Sequence, residues 1–141
     1  MTDISLSTDA MKFIRMATQL IHVDILDCLI ADDKLVFVVR KGQLGAAIGK
    51  KGKNLGILRD RFKKTIKFVE EDEDKKRFIN NLCKPYKVED ISLTGARDEP
   101  VALVRVATSD KSKVIGKNGR NIELIRKLAQ RHHNFKDVQI K

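Results

Sequence analysis

One twelve-residue pattern occurs twice in this chain of 141 residues. Ile48 to Arg59 and Ile115 to Arg126 lie 67 positions apart and share Ile, Gly, Lys, Gly, Asn and Arg at the same offsets, six identities in twelve. The matched cores read Ile-Gly-Lys-Lys-Gly at 48–52 and Ile-Gly-Lys-Asn-Gly at 115–119, each opening a helical pattern. A chain of this length would by default be one domain, because domains of roughly 100 to 200 residues are commonest. The repeat overrides that default. Two units of about 70 residues are small but viable, since domains of ~60 residues fold alone.

Each copy of the pattern sits in the same context. Thr8 or Asp9 can cap a helix whose Ala10, Phe13, Ile14, Ala17, Leu20 and Ile21 follow the 3.6-residue period. Val23 to Ile30 and Leu35 to Arg40, rich in aliphatic and β-branched residues, read as strands around a turn at 31–34. Gly-rich sequence from Lys41 to Gly52 follows, with Gly42-Gln43-Leu44-Gly45 read as loop, then a helix from about Lys53 to Lys64 and a strand through Ile66 and Phe68. Glu70-Glu71-Asp72-Glu73-Asp74 reads as a solvated acidic linker whose charges favour the next helix N-terminus, and it divides the chain into units 1–72 and 73–141. The cycle then restarts: a helix from Lys75 to Cys83 stopped before Pro85, strands Tyr86 to Leu93 and Val101 to Ala107, a helix from Arg120 to about Arg131, and a strand through Val138 and Ile140. Ile122, Ile125 and Ala129 take the places of Leu55, Leu58 and Phe62. Only 22 residues follow Gly119, too few for two strands and a helix, so the order in each unit is helix, strand, strand, a helix pair around the glycines, then strand.

Charge is concentrated on the repeats. Residues 40–67 hold ten Lys/Arg against one Asp, and 111–136 hold eight against one Glu, so these 54 residues carry +16 of a chain whose net charge is +10. The remainder is therefore −6. A generally basic surface would spread its charge; this placement favours a polyanion bound at the two repeat segments.

A Gly-x-x-Gly turn between two short helices admits a sugar-phosphate chain closely, because neither glycine has a Cβ to collide with it. The backbone amides and the helix N-terminus are then expected to face phosphate. Lys50, Lys51 and Lys53 add charge in the first copy, as Lys117 and Arg120 do in the second. Ile48 and Ile115 can wall the loops against splayed bases, an arrangement suited to a single strand rather than a duplex. These motifs resemble the K homology (KH) family, whose Gly-x-x-Gly loop clamps about four nucleotides. The order of elements is similar to the prokaryotic, type II KH fold, αββααβ. The fold class implied is α+β, with two tandem KH domains, each a three-stranded sheet packed against helices. Two such domains joined by a short acidic segment resemble the archaeal NusA-like family of transcription termination and antitermination factors. The resemblance implies RNA contacts at Ile48, Gly49, Lys50, Lys51, Gly52, Lys53 and Asn54, and at Ile115, Gly116, Lys117, Asn118, Gly119, Arg120 and Asn121. Asn54 and Asn121 have an alternative role in helix capping. Relative to the bacterial members, the chain shows neither an N-terminal polymerase-binding domain nor an oligonucleotide-binding barrel before the tandem, so polymerase binding is not implied with the family.

Other chemistries lack their parts. A Walker loop needs four residues between its glycines and Ser or Thr after its Lys; here three separate Gly45 from Gly49, and Lys51 follows Lys50. No Ser, His and acid cluster suggests hydrolysis, and His132 and His133 read as helix-end or exposed residues rather than metal ligands. An aromatic RNA-recognition platform is absent, with Phe13, Phe37, Phe62 and Phe68 on apolar periodicities that mark them as core. Cys28 and Cys83 read as reduced and buried. No signal peptide or apolar run of about 20 residues appears. The expectation is a non-enzymatic, monomeric, cytoplasmic protein with no cofactor, no metal and no membrane contact, whose partner is single-stranded RNA. RNA polymerase or other transcription machinery stays open as a second partner class, and a ribonucleoprotein component or RNA-processing adaptor is the competing role.

Overall fold

Ser7 starts the first helix in the computed structural model of the chain, which describes residues 6–31 and 33–141. Its extended backbone (φ −67°, ψ 161°) aims the hydroxyl at the orphan amide of Ala10, 3.0 Å away. Ser7 therefore takes the capping role expected of Thr8 or Asp9, which become the first residues of α1 (Thr8–Ile21). The apolar stripe of α1 buries Ala10, Ala17 and Ile21.

Strands β1 (Ile25–Ile30) and β2 (Lys34–Val39) pair antiparallel, and β3 (Thr65–Glu70) pairs parallel with β2, giving the order β1-β2-β3. Asp32, in the expected turn, lies outside the described residues, as do Met1 to Ser5. Leu35, Phe37 and Val39 share one face of the central strand, as the two-residue pleat requires, and join Ala10, Ala17, Ile21, Cys28 and Leu58 in one core. Phe62 sits edge-on to Phe13 at 5.2 Å and 6.4 Å from Phe37, which lies 6.0 Å from Phe68, so all four phenylalanines read as core do pack together.

Between β2 and β3 run α2 (Leu44–Ile48), a single 3₁₀ turn over 50–52, and α3 (Lys53–Phe62). The stretch read as loop is thus divided: Gly42, at φ +90°, makes the turn, and helix begins at Leu44.

The described residues form two compact units that divide between Asp72 and Glu73. The second repeats the plan with α4 (Lys75–Cys83), β4 (Val88–Ala96), β5 (Glu99–Val106), α5 (Thr108–Ile115), a 3₁₀ turn over 117–119, α6 (Arg120–His133) and β6 (Asp137–Ile140). Its sheet order is β4-β5-β6, again antiparallel then parallel. Phe78, Leu82, Val104, Ile125, Leu128, Phe135 and Val138 are buried.

The acidic run is more than a solvated linker. Glu70 closes β3, Asp72 is buried with its carboxylate 3.5 Å from Lys41 Nζ, and Asp74 caps α4 by accepting from Arg77 N at 3.0 Å. Only the last of these follows from sequence, because a carboxylate one residue before a helix has a local partner. Both histidines lie in the last turn of α6, at the helix end the sequence predicts. His132 is buried, and the rings of His132 and His133 lie 5.3 and 5.1 Å from that of Phe78. The final turn of α6 carries them against α4, so His132 is buried rather than exposed. Cys28 and Cys83 are buried and unbridged.

Candidate nucleic-acid interface

The two glycines of each turn are needed for different reasons. Gly49 has φ +80° and ψ 166°, and Gly116 has φ +81° and ψ 167°, a region essentially reserved for glycine. A Cβ on Gly49 would lie 3.0 Å from Asn54 N, and one on Gly116 would lie 2.8 Å from Asn121 Cβ. These first glycines both reverse the chain and let the following helix start against it. Gly52 (φ 73°, ψ 19°) and Gly119 (φ 72°, ψ 14°) are left-handed, but a Cβ there meets nothing within 4 Å at Gly52 and only Ile122 Cγ2 at 3.8 Å at Gly119. Between them Lys51 (φ 55°, ψ 29°) and Asn118 (φ 56°, ψ 26°) are left-handed too. Asn tolerates that conformation and Lys does so less readily, yet the two turns agree within about 5° at both glycines and at this residue.

An asparagine locks each turn. Asn54 Nδ2 donates to Ala46 O at 3.0 Å, and Asn121 Nδ2 donates to Val114 O at 2.7 Å. Each bond spans the turn, tying the first residues of the second helix to the last carbonyls of the first. This differs from the helix capping anticipated, in which the side chain would accept from its own helix. The amide satisfies an orphan carbonyl at the C-terminal end of the preceding helix instead. Asn121→Ala is therefore expected to destabilise the second unit by about 1–2 kcal/mol, by leaving the half-buried Val114 carbonyl contact unmade. Asn121→Asp should cost more, because its carboxylate faces a carbonyl. Urea unfolding of the three proteins checks the order.

Four of the amides are engaged within the turns. Gly52 N donates to Gly49 O at 3.1 Å and Lys53 N to Lys50 O; in the second copy Gly119 N donates to Gly116 O at 3.0 Å and Arg120 N to Lys117 O. These N–H groups are spent inside the turn and are not free to meet an anion. Both α3 and α6 begin at a glycine with no side-chain cap, whereas α1 and α4 are capped by Ser7 and Asp74. The partial positive ends of α3 and α6 carry no capping carboxylate or hydroxyl.

Lys50, Lys51, Lys53, Lys117, Asn118 and Arg120 are exposed, while Ile48, Gly49, Gly52, Asn54, Ile115, Gly116, Gly119 and Asn121 are half-buried. The structure thus gathers each set of seven at one turn: an aliphatic residue before it, cations upon it, and an asparagine beneath it. Ion pairs within 4 Å engage Arg40, Lys41 and Arg126, and among the described residues none of these pairs involves the turn cations. The described residues hold no group of three or more His, Cys, Asp or Glu placed to share a metal, and no helix long and apolar enough to cross a membrane.

Sequence reasoning missed a polar cluster at the start of α2. Asp24 Oδ2 accepts from Arg40 Nε at 3.0 Å and Gln43 Nε2 at 3.2 Å, and Glu70 Oε2 accepts from the amides of Gly42 and Leu44. The partners are 16 to 28 residues apart, with no local spacing to reveal them.

Known proteins are similar to this chain along nearly its whole length. The family of NusA-like second KH domains matches residues 75–140, and the KH domain family matches residues 11–89, a span reaching from α1 into β4. The chain is similar to the probable transcription termination protein NusA of Methanococcus vannielii, at 34% identity over 137 residues, covering 97% of this chain and 79% of that protein. It is equally similar to the protein of that name from Halobacterium salinarum, at 34% identity with 97% and 98% covered, and similar to that of Methanocaldococcus jannaschii, at 29% with 99% and 76% covered. Among solved structures, that titled "Crystal structure of APE1850" matches with a TM-score of 0.80 and 26% identity, over 96% of this chain and all of that one. With KH matches in both units and relatives matched along nearly its whole length, the chain belongs to the archaeal NusA-like family of tandem KH-domain proteins.

Proposed function

We propose that this protein binds single-stranded RNA through both Gly-x-x-Gly turns and acts in transcription termination or antitermination. KH domains over 1–72 and 73–141 serve as the two binding modules. Ile48 to Asn54 and Ile115 to Asn121 form the contact segments, with the lysines and Arg120 on the phosphates and the isoleucines against bases. The observation that carries this reading is the near-identical backbone of two turns 67 residues apart, each presenting exposed cations before a helix with no side-chain cap. A tight turn that only joined two helices would need neither the repeated cations nor the open helix ends. The names of the relatives support placing that binding in transcription, with the transcription machinery as the second partner. The protein works as a cytoplasmic monomer and binds RNA without catalysing a reaction on it.

Binding should be strongly salt-dependent. Five or six neutralised phosphates give a log-log slope of about −4, at roughly −0.7 per phosphate for a single strand. Lys50→Asp with Lys51→Asp should flatten that slope and weaken binding, while the unfolding midpoint stays nearly fixed because exposed substitutions usually change stability by less than about 0.5 kcal/mol. Titration of a labelled single strand and its duplex across a salt series is the decisive measurement. A slope near zero, or preference for the duplex, would sink the proposal.

A further inference from the structure

The chain between β2 and α2 is held from two sides by acidic residues. Parallel pairing sets Glu70 beside Val39, where β2 ends, and Glu71 N donates to Val39 O at 2.8 Å. From there Glu70 Oε2 accepts the N–H of Gly42 at 3.1 Å and of Leu44 at 3.3 Å. Asp24 holds Arg40 and Gln43 from β1's side, with Gln43 Oε1 accepting in return from Asp24 N at 2.7 Å. Asp72 takes Lys41. Residues 40, 41, 42, 43 and 44 are each bonded to a residue of these two flanking segments.

The following helix is too short to orient itself. α2 has five residues and ends at Gly49, whose N–H donates to Gly45 O at 2.9 Å. An isolated helix of that length is unstable in water, so its direction depends on what holds it: the Asn54 tie to Ala46 O and the burial of Ala47 along its length, and the carboxylate bonds at its start. Lys50 and Lys51 stand directly beyond it. In the second unit the residue paired with Val104, as Glu70 is with Val39, is Ile140, which has no carboxylate to offer the start of α5.

We propose that Glu70, assisted by Asp24 and Gln43, is a positioning residue for the first turn: its carboxylate fixes the start of α2 and thereby the placement of Lys50 and Lys51 on RNA. This inference rests on the RNA-binding reading above. Glu70 does not touch the RNA itself. From Leu44, which Glu70 bonds, to Lys50 is six residues, roughly 9 Å at 1.5 Å per helical residue, so over about one screening length of ~8 Å its negative charge reaches a polyanion there only in screened form.

That charge gives the test a sign. If Glu70 were merely an acidic surface residue, neutralising it would leave RNA binding unchanged or tighten it. A positioning role requires the opposite. In the intact chain, Glu70→Ala should weaken binding of a labelled mixed-sequence single-stranded RNA by about three- to tenfold, the range through which a residue without ligand contact commonly modulates a site. Glu70→Gln, which keeps an acceptor oxygen, should retain most of the affinity. Glu73→Gln, at an exposed neighbour, supplies the charge control and should bind as well as the wild type or slightly better. The Glu70→Ala penalty should persist in a Lys117→Asp background and vanish in a Lys50→Asp/Lys51→Asp background. Tightening by Glu70→Ala, or a penalty that survives loss of the first-turn lysines, would overturn the positioning role while leaving RNA binding intact. Failure of the wild-type chain to bind the strand would overturn both proposals. Should Glu70→Ala fail to fold, Gln43→Ala, which releases the Asp24 side of the same hold, carries the same expected loss and the same dependence on Lys50 and Lys51.

Discussion

Gly116→Ala should destabilise the second unit by about 3 kcal/mol or more, whereas Gly119→Ala three residues later should cost about 1–2 kcal/mol. The two changes add the same methyl group to the same turn. At Gly116 the backbone is already in a glycine-only region, and the new Cβ would lie 2.8 Å from Asn121 Cβ and 2.9 Å from Asn121 N. Relief would require α6 to move away from the end of α5, breaking the bond from Asn121 Nδ2 to Val114 O. At Gly119 the added carbon meets only Ile122 Cγ2, at 3.8 Å, and the cost is that of a left-handed alanine. Gly49 and Gly52 should show the same order, with a smaller gap because the closest approach at Gly49 is 3.0 Å. Each kcal/mol corresponds to roughly 4–8 °C in a domain of this size, so thermal and urea unfolding resolve the difference. Equal costs at the two glycines would mean that close helix approach does not fix the turn.

An RNA long enough to occupy both turns should bind the intact chain at least tenfold more tightly than an RNA that fills only one. The second contact is intramolecular once the first has formed, and a short connection gives an effective concentration on the order of millimolar if the strand can reach both. Here the connection is short and fastened. Only residues 71–74 lie between β3 and α4; Glu71 N is bonded to Val39 O, Asp72 to Lys41, and Asp74 to the first turn of α4. Lys50→Asp with Lys51→Asp, or Lys117→Asp, should each erase most of the length-dependent gain. The short RNA should suffer less, since it can use whichever turn remains. Titrations with both RNAs at one salt concentration measure this. If the long RNA gains nothing over the short one, or if one of the two turns can be disabled without loss, the turns do not read one strand together.

Reading the sequence located the turns because their chemistry is local. Glycines at fixed spacing, a cation between them and an apolar helix after them are all visible within twelve residues, and repetition supplied the comparison that a lone motif lacks. The strands and first helices were legible for the same reason, through periodicity and caps. Where reading failed at short range, a neighbouring residue offered a better geometry, as Ser7 did over Thr8 and Asp9. The helix at Leu44–Ile48 was obscured because five residues carry too little periodic pattern to distinguish helix from glycine-rich loop.

The repeat, its charge and the αββααβ order of each unit were determined by the sequence itself, because spacing, capping and hydrophobic period act between residues close in the chain. Tertiary structure alone decided the partners distant in the chain. It drew His132 against Phe78 and brought Glu70 beside Gly42 and Leu44. The physical reason is that a hydrogen bond or ring contact depends on distance in space, and parallel pairing of β2 with β3 joins residues whose separation along the chain leaves no local signature.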